Sequence, residues 1–262
     1  MWSYSSVDDF EARIDNNAFF DAFADVLTYW PTGRLQQLLQ LGADTNMQFE
    51  NGQTALTMAA WNGNHEMVNL LLNAPKRADP NKSNTQGVTP LHRAAEMGHT
   101  ETVQVLLTHS ANPNVSNTYG ETPLHRAVYF TNDRGSAVVT LLLKEPSVNV
   151  NAIDKLGQTP LHHAVKNGRE AEVALLLEAN ASPNVIDNKG HTPLHLGIYK
   201  MSSEIVKILL TKKADPNLKN NNGETPLHIA IRLRQGESES ESESESEWVR
   251  EHYTNSIKLL LL

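Results

Sequence analysis

A four-residue phrase, TPLH in one-letter code, recurs along this chain at nearly constant spacing. The first residues of successive copies are 35, 33, 37, 33 and 33 residues apart. The copies, of which the first reads TALT, begin at Thr54, Thr89, Thr122, Thr159, Thr192 and Thr225. A period near 33 residues is typical of stacked helical units and not of a closed globular core, so the sequence predicts a solenoid.

The residues around one copy predict two helices and a turn. Proline is tolerated at the first position of a helix, because its missing N–H costs nothing there, so Pro90 opens a helix with Thr89 as its N-cap. Gly98 ends this helix, residues 101–107 form a second one, and Gly120 belongs to the turn into the next unit. A single unit cannot bury its leucines, so at least three stacked units are needed to form a core.

The stretch from Gly87 to Asn114 resembles the ankyrin repeat family over its whole length. The resemblance implies an all-α ankyrin repeat solenoid, in which helix-turn-helix units are joined by β-hairpin-like turns. It also implies a structural role for the histidine of the phrase, as a hydrogen-bonding link between the threonine hydroxyl and the backbone of a neighbouring turn. The histidines at this position are His92, His125, His162, His195 and His228.

The repeats occupy almost the whole chain. We expect an N-terminal extension at residues 1–15 and an ankyrin repeat domain at residues 16–262, with units that begin near residues 16, 49, 84, 117, 154, 187 and 220. The first unit lacks the phrase but keeps an apolar stripe in a predicted helix at 17–30, followed by a partner helix at 34–41. Loss of the phrase with retention of the buried leucines is typical of a capping unit.

The last unit carries an insertion, from about residue 236 to 247, in which serine and glutamate alternate. With a charge at every second position and no apolar side chain, this Ser-Glu run is expected to be a disordered or frayed-helical loop. The sequence then ends at Leu262 with four leucines that match the second helix of a unit. We expect that the natural chain continues beyond them or that a partner covers this end.

Composition excludes several classes of function. The formal net charge is −8, but the six glutamates of the Ser-Glu run supply most of it. The solenoid itself is nearly neutral and has no basic stripe, which disfavours nucleic-acid binding. The sequence shows no cysteine, no leader at Met1 and no apolar run near the roughly 18 residues of a membrane span. We therefore predict an intracellular, cytoplasmic monomer without a membrane segment.

The eleven histidines raise the question of a metal or catalytic site. Zinc needs its ligands about 2 Å from one ion, and stacked units hold the five histidines of the phrase too far apart for that. His162 and His163 are adjacent, with His191 as a third candidate, but no cysteine accompanies them. The sequence also lacks a phosphate loop, a nucleophile elbow and an HExxH motif. It therefore predicts no enzyme activity, no metal and no cofactor.

Binding residues are sought among the positions that do not repeat. In this architecture the turn tips and the exposed flank of each first helix line a concave groove, where the core places no constraint on side chains. Large side chains are concentrated at these positions, and aromatic, Met and Arg residues are the types enriched in protein interfaces. The predicted partner-binding residues are Trp61, Met97, Tyr119, Tyr129, Phe130, Leu156, Tyr199 and Arg232. The alternative is that Tyr129 and Phe130 pack under the longer loop of the fourth unit.

Two kinds of modification are also suggested by resemblance. Four serines of the Ser-Glu run have glutamate three residues later, as in sites of acidophilic kinases such as casein kinase 2; they are Ser238, Ser240, Ser242 and Ser244. The alternative is an inert solvated spacer. Four turn asparagines resemble those that an asparaginyl hydroxylase modifies in ankyrin repeats; they are Asn114, Asn151, Asn184 and Asn217.

The sequence as a whole predicts a protein–protein interaction module that holds a partner in the groove. An alternative is the substrate-recognition part of a longer adaptor or bacterial effector, which would act in the host cytosol and whose activity lies beyond Leu262. A purely structural spacer is a third hypothesis. An enzyme is the hypothesis from a different class, and it requires a polar pocket that the sequence does not reveal.

Overall fold

The computed structural model describes residues 32–129, 134–236 and 243–261. These ranges contain α-helices and one short 3₁₀ helix, and no β-strand lies within them. The predicted N-terminal extension and the predicted helix at 17–30 lie outside the described residues. In chain order the helices are α1 (Thr32–Gln40), α2 (Ala55–Trp61), α3 (His65–Leu72), α4 (Pro90–Glu96), α5 (Thr100–Thr108), α6 (Pro123–Ala127), α7 (Arg134–Lys144), α8 (Pro160–Lys166), α9 (Glu170–Glu178), α10 (Pro193–Tyr199), α11 (Ser203–Thr211), α12 (Pro226–Gly236) and α13 (Glu243–Leu261).

The helices from α2 to α13 form antiparallel pairs that stack into two layers. Within each pair the first and second helices pack against each other. Each first helix also packs against the first helices of adjacent units, and each second helix packs against its counterparts in the same way. The fold is therefore the all-α solenoid that the repeat period predicts.

The helix starts confirm the prediction from the phrase. Thr89 has extended backbone angles and its side chain accepts a hydrogen bond from the backbone N–H of His92, while Pro90 occupies the first turn of α4. The Nδ1 atom of His92 accepts the backbone N–H of Thr89 at 3.1 Å, which completes a capping box. Gly98, with φ +69°, follows α4 in the left-handed region and ends the first helix as expected.

The core lies between the two layers and repeats with the sequence. The leucine of the phrase is fully buried in successive units, as at Leu124 and Leu161, and so are second-helix leucines such as Leu106 and Leu142. The burial of each of these leucine side chains stabilises the fold by about 2 kcal/mol, and the neighbouring unit provides part of that burial. Stability therefore depends on stacking rather than on any single unit.

The turns between units are joined to one another through their backbones. In one turn the N–H of Asn117 donates to the carbonyl of Glu121 at 2.9 Å, and the next unit's Lys155 N–H donates to the carbonyl of Tyr119 at 2.9 Å. A Cβ added to Gly120, whose φ is +81°, would lie 2.8 Å from the Lys155 nitrogen. The close approach of adjacent turns therefore requires glycine at this position. The same close approach fixes the position of the turn tip that carries Tyr119.

The last helix, α13, packs against α11 and α12 and takes the place of a second helix in the final unit. Tyr253 and Ser256 are buried in this contact. Residues 243–247 of the Ser-Glu run are the first residues of α13, so this part of the run is helical. Residues 237–242 lie outside the described residues.

Candidate protein-binding groove

Three aromatic side chains occupy equivalent positions at the ends of first helices. Trp61 is the last residue of α2, Tyr199 is the last residue of α10, and Tyr129 follows α6 by two residues. Each lies seven residues after the threonine of its phrase, so the three rings lie along one side of the stack. Their exposed fractions are 40%, 39% and 42%. We call these three residues the aromatic row.

The other predicted binding residues are distributed around this row. Tyr119 and Leu156, on successive turn tips, are the most exposed, at 61% and 59%. Met97 is the C-cap of α4 and is half-buried. Phe130 lies outside the described residues. The structure thus leaves most of the predicted apolar side chains accessible on turn tips and at first-helix ends.

Trp61 is held by a cation from the next unit. The guanidinium carbon of Arg93 lies 4.8 Å from the centroid of the Trp61 ring, within the range of a cation–π contact. The same guanidinium binds Glu96, with Arg93 Nη1 3.0 Å from Glu96 Oε2. Arg93 therefore links the ring to a carboxylate one helical turn away on α4.

A second arginine extends these contacts into the fourth unit. Arg126 binds Glu96 at 3.0 Å and Glu121 at 3.3 Å, and its guanidinium lies 5.8 Å from the centroid of the Tyr129 ring. The four charged residues Arg93, Glu96, Glu121 and Arg126 form what we call the charged network. Its charges balance, because each arginine faces a carboxylate and the carboxylate of Glu96 is shared between the two.

Tyr129 connects the charged network to a buried pair in the fifth unit. The Tyr129 and His163 rings meet edge to face with centroids 5.3 Å apart. His163 Nε2 lies 2.9 Å from Asp154 Oδ2, and both side chains are nearly inaccessible. Burial, with the Glu121 carboxylate as a second cause, raises the pKa of the Tyr129 phenol, so the phenol remains neutral at neutral pH. Tyr129 is thus both partly packed and partly exposed.

A pocket of about 440 Å³ lies further along the same side, between the fifth and sixth units. Two predicted residues, Leu156 and Tyr199, are part of its wall. We call it the lysine pocket because three of its residues are lysines. It is lined by Leu156, Gln158, Lys166, Asp187, Asn188, Lys189, His191, Leu196, Tyr199 and Lys200.

Arg232, also predicted as a binding residue, is engaged within its own unit. Its Nε donates to Glu224 Oε1 at 2.9 Å. This hydrogen bond lowers the pKa of the Glu224 carboxyl and raises the pKa of the Arg232 guanidinium. The Arg232 side chain is largely exposed, and pairs of this kind contribute at most about 1 kcal/mol. Arg232 is therefore available to a partner only in competition with Glu224.

The sequence interpretation missed the residues that hold the rings. Arg93, Arg126 and His163 each follow the histidine of the phrase directly, three residues before the row position on the same first helix. Residues three apart on a helix share a face, so this position lines the groove as well. The signal was present in the sequence, because the residue at this position changes along the stack, from Arg93 and Arg126 to His163, Leu196 and Ile229.

The histidines of the phrase confirm the structural role that the resemblance implies. His92 Nε2 lies 3.0 Å from the carbonyl oxygen of Glu121 in the next turn, and His125 Nε2 lies 3.1 Å from that of Gln158. Burial lowers the pKa of His92, His125 and His162 from 6.5 to about 4, so these rings are neutral at neutral pH. With Nδ1 accepting the threonine N–H, the proton sits on Nε2 and is donated to the carbonyl.

The turn asparagines also link adjacent units. Asn114 Oδ1 accepts the N–H of Asn149 at 2.8 Å, and Asn114 Nδ2 donates to the carbonyl of Ser147 at 2.7 Å. Asn151 and Asn184 accept the equivalent N–H of the following unit in the same way. These side chains therefore have a structural role, whatever modification they receive.

The candidate phosphorylation sites lie in or beside α13. Ser244 is in its first turn, whereas Ser238, Ser240 and Ser242 lie outside the described residues. Within the described ranges, no three histidine or acidic side chains come together as a metal site would require. The helices of the same ranges are all too short or too polar to cross a membrane.

The fold and the groove together define a helical repeat solenoid with an exposed, variable face. The sequence model described as ankyrin repeats (3 copies) matches residues 32–117, 76–152, 132–220 and 189–238. These matches cover well over half of the chain, which therefore belongs to the ankyrin repeat family. Ankyrin repeats are in general protein–protein interaction modules and are typically non-catalytic.

Two relatives match parts of the chain. Delta-latroinsectotoxin-Lt1a of Latrodectus tredecimguttatus is 32% identical over 92 residues, which are 35% of this chain and 8% of the toxin. Transient receptor potential cation channel subfamily A member 1 of Homo sapiens is 41% identical over 64 residues, which are 24% of this chain and 6% of the channel. The chain thus matches less than a tenth of the length of either relative.

Two solved structures resemble the chain over most of its length. The ankyrin repeat domain of Bcl-3, a member of the IkappaB protein family, superposes with a TM-score of 0.74 and 26% identity, covering 92% of this chain and 97% of that domain. The ankyrin repeat protein EF0377 gives a TM-score of 0.66 at 24% identity, covering 82% and 98%. The second likeness concerns the fold alone.

Proposed function

We propose that this chain binds a partner protein in the cytoplasm, as a monomer, through the groove that carries the aromatic row and through the turn tips beside it. The observation that supports this proposal most strongly is the pairing of exposed rings with arginines of the first helices. Arg93 lies against Trp61, and Arg126 lies against Tyr129. Rings that are held before binding lose little conformational entropy when a partner covers them.

The balance of charge in this part of the groove suggests how the partner is recognised. Both arginines of the charged network already bind carboxylates at 3.0 to 3.3 Å. The network therefore offers little net field to steer a charged partner, and its role is to orient the rings. We propose that affinity comes mainly from covering Trp61, Met97 and Tyr129 with apolar partner surface, as in other interface hot spots.

A triple variant, Trp61→Ala with Met97→Ala and Tyr129→Ala, is expected to bind the partner about 100-fold more weakly. Each truncation removes apolar contact area and leaves the fold's core unchanged, because none of the three side chains is fully buried. The partner is first captured from cell lysate and identified by mass spectrometry. The purified pair is then measured by isothermal titration calorimetry.

The matched control carries Leu41→Ala, Ile153→Ala and Ile186→Ala, which are exposed apolar residues that take no part in the aromatic row or the charged network. The control is expected to bind as tightly as the unmodified chain, and circular dichroism checks that both variants remain folded. Equal affinity of the groove variant and the unmodified chain would contradict the proposed site. Equal loss in both triple variants would indicate a general effect of surface hydrophobicity.

A second candidate function is that these repeats select a substrate or host protein for an activity on a longer chain. The observation in its favour is that the matched stretches are 8% and 6% of the length of the toxin and the channel. Phosphorylation of the Ser-Glu run stays a prediction beside both candidates. Each phosphate would add a charge of about −1.5 to −2 next to the last unit.

A further inference from the structure

The lysine pocket differs in chemistry from the rest of the groove. Its apolar surface comes from Leu156 on a turn tip and from Leu196 and Tyr199 on α10. The Tyr199 ring is fixed by an edge contact with His191, whose ring centroid lies 5.6 Å away. A volume of about 440 Å³ is enough to hold one large apolar side chain of a peptide with its flanking backbone.

Three lysines surround this apolar surface. Lys166, Lys189 and Lys200 are exposed, and none of them forms an ion pair with any of the residues that the structure describes. The aliphatic stem of Lys200 lies close to Gly168 of the preceding unit, because a Cβ added to Gly168 would be only 2.7 Å from Lys200 Cε. The absence of a paired carboxylate distinguishes these cations from Arg93 and Arg126.

Asp187 is the acidic residue in the pocket wall, and its carboxylate is used by the protein itself. Its Oδ1 accepts the backbone N–H groups of Lys189 at 2.9 Å and His191 at 2.8 Å, and its Oδ2 accepts Gln158 Nε2 at 3.2 Å. Burial acts to raise the pKa of Asp187, but these hydrogen bonds outweigh it and hold the pKa below its ordinary value. One buried carboxylate therefore faces three exposed ammonium groups, which leaves the pocket rim positive.

We infer that the lysine pocket binds a peptide segment of the partner in which one large apolar side chain is flanked by acidic residues. This inference rests on the proposed function and names the chemistry that one part of the groove selects. The apolar side chain covers Leu156, Leu196 and Tyr199, and burial of its methylene groups favours binding. The flanking carboxylates pair with the lysines, and these exposed ion pairs orient the peptide.

The experiment uses a phage-displayed library of random peptides selected on the full chain. The expected result is enrichment of sequences with an aromatic or leucine side chain next to two or more acidic residues. The best sequence is synthesised with a fluorescent label and its affinity is measured by fluorescence anisotropy. Glutamine at its acidic positions, or glycine at its apolar position, is expected to weaken binding at least tenfold.

A variant with Lys166→Gln, Lys189→Gln and Lys200→Gln is expected to bind the labelled peptide at least tenfold more weakly. The matched control changes three lysines on or just after second helices, Lys144→Gln, Lys207→Gln and Lys212→Gln, and is expected to bind it normally. The two variants have the same net charge, so they separate the pocket from general electrostatic attraction.

Several outcomes would overturn the inference. In the selection, they are failure to enrich any peptide and enrichment of neutral or basic peptides. In the affinity measurements, they are an equal loss of peptide affinity in both lysine variants and tight binding of the glycine-substituted peptide, which would indicate a simple anion site. The variant of Trp61, Met97 and Tyr129 is expected to keep its affinity for the peptide. If the peptide test fails while that variant still loses the partner protein, the lysine pocket inference fails and the proposed function stands.

Discussion

Replacing His162 by alanine is expected to lower the free energy of unfolding by about 3 kcal/mol. The His162 side chain is fully buried, its Nδ1 accepts the N–H of Thr159 at 3.1 Å, and its Nε2 lies 3.1 Å from the carbonyl oxygen of His191 in the next unit. Alanine leaves both backbone groups without these partners and opens a cavity between two units. Urea-induced unfolding followed by circular dichroism measures the loss.

The matched control is His228→Ala in the last unit. His228 makes the same local contact, with Nδ1 2.7 Å from the Thr225 hydroxyl, but its side chain is exposed and it has no hydrogen bond to a following turn among the described residues. We expect this change to cost less than about 1 kcal/mol, the value of a helix cap. Similar losses in both variants would show that the cap alone matters and that the bond between units contributes nothing.

Much of this fold follows from contacts that are short in sequence and repeat from unit to unit. The N-cap at Thr89, the proline beside it and the glycine that ends α4 act within about ten residues of one another. The bonds between units, such as that from His92 to the Glu121 carbonyl, join equivalent positions of adjacent repeats. A pattern that occurs several times in one chain reveals such contacts, because chance resemblance does not recur at a fixed period.

The details of the groove could not be predicted in the same way. Whether an exposed charge is paired depends on the residue that the neighbouring unit places beside it, and those positions do not repeat. Arg126 binds Glu96 from the preceding unit at 3.0 Å, and Lys207 lies 4.0 Å from Glu204 on its own helix. Among the described residues, Lys200 and Lys189 have no such neighbour. All four side chains are cationic in the sequence, and only the three-dimensional arrangement separates the paired ones from the unpaired ones.

Lowering the pH from 7 to 5 is expected to reduce the free energy of unfolding by about 5 to 6 kcal/mol. Burial lowers the pKa of His92, His125 and His162 to about 4, whereas the unfolded chain has the ordinary value of 6.5. The folded state keeps these rings neutral. The stability that they contribute is therefore fully present above pH 6.5, and it is lost as the pH falls toward 4, because the unfolded state binds more protons than the folded state in this range. Each histidine contributes about 2 kcal/mol to the change between pH 7 and pH 5.

The histidine origin of this pH dependence is tested with His162→Gln, in which an amide that does not titrate replaces the ring. The variant is less stable at pH 7, but its free energy of unfolding is expected to fall by about 2 kcal/mol less than that of the unmodified chain between pH 7 and pH 5. Asp187 and Glu224 add little to the change in this window, because hydrogen bonds hold the pKa of each carboxyl below its ordinary value. Urea unfolding at pH 7, 6 and 5 measures the slopes. An unchanged slope in the variant would show that other groups carry the pH dependence, and a stability that does not fall toward pH 5 would contradict the neutral, buried state of these rings.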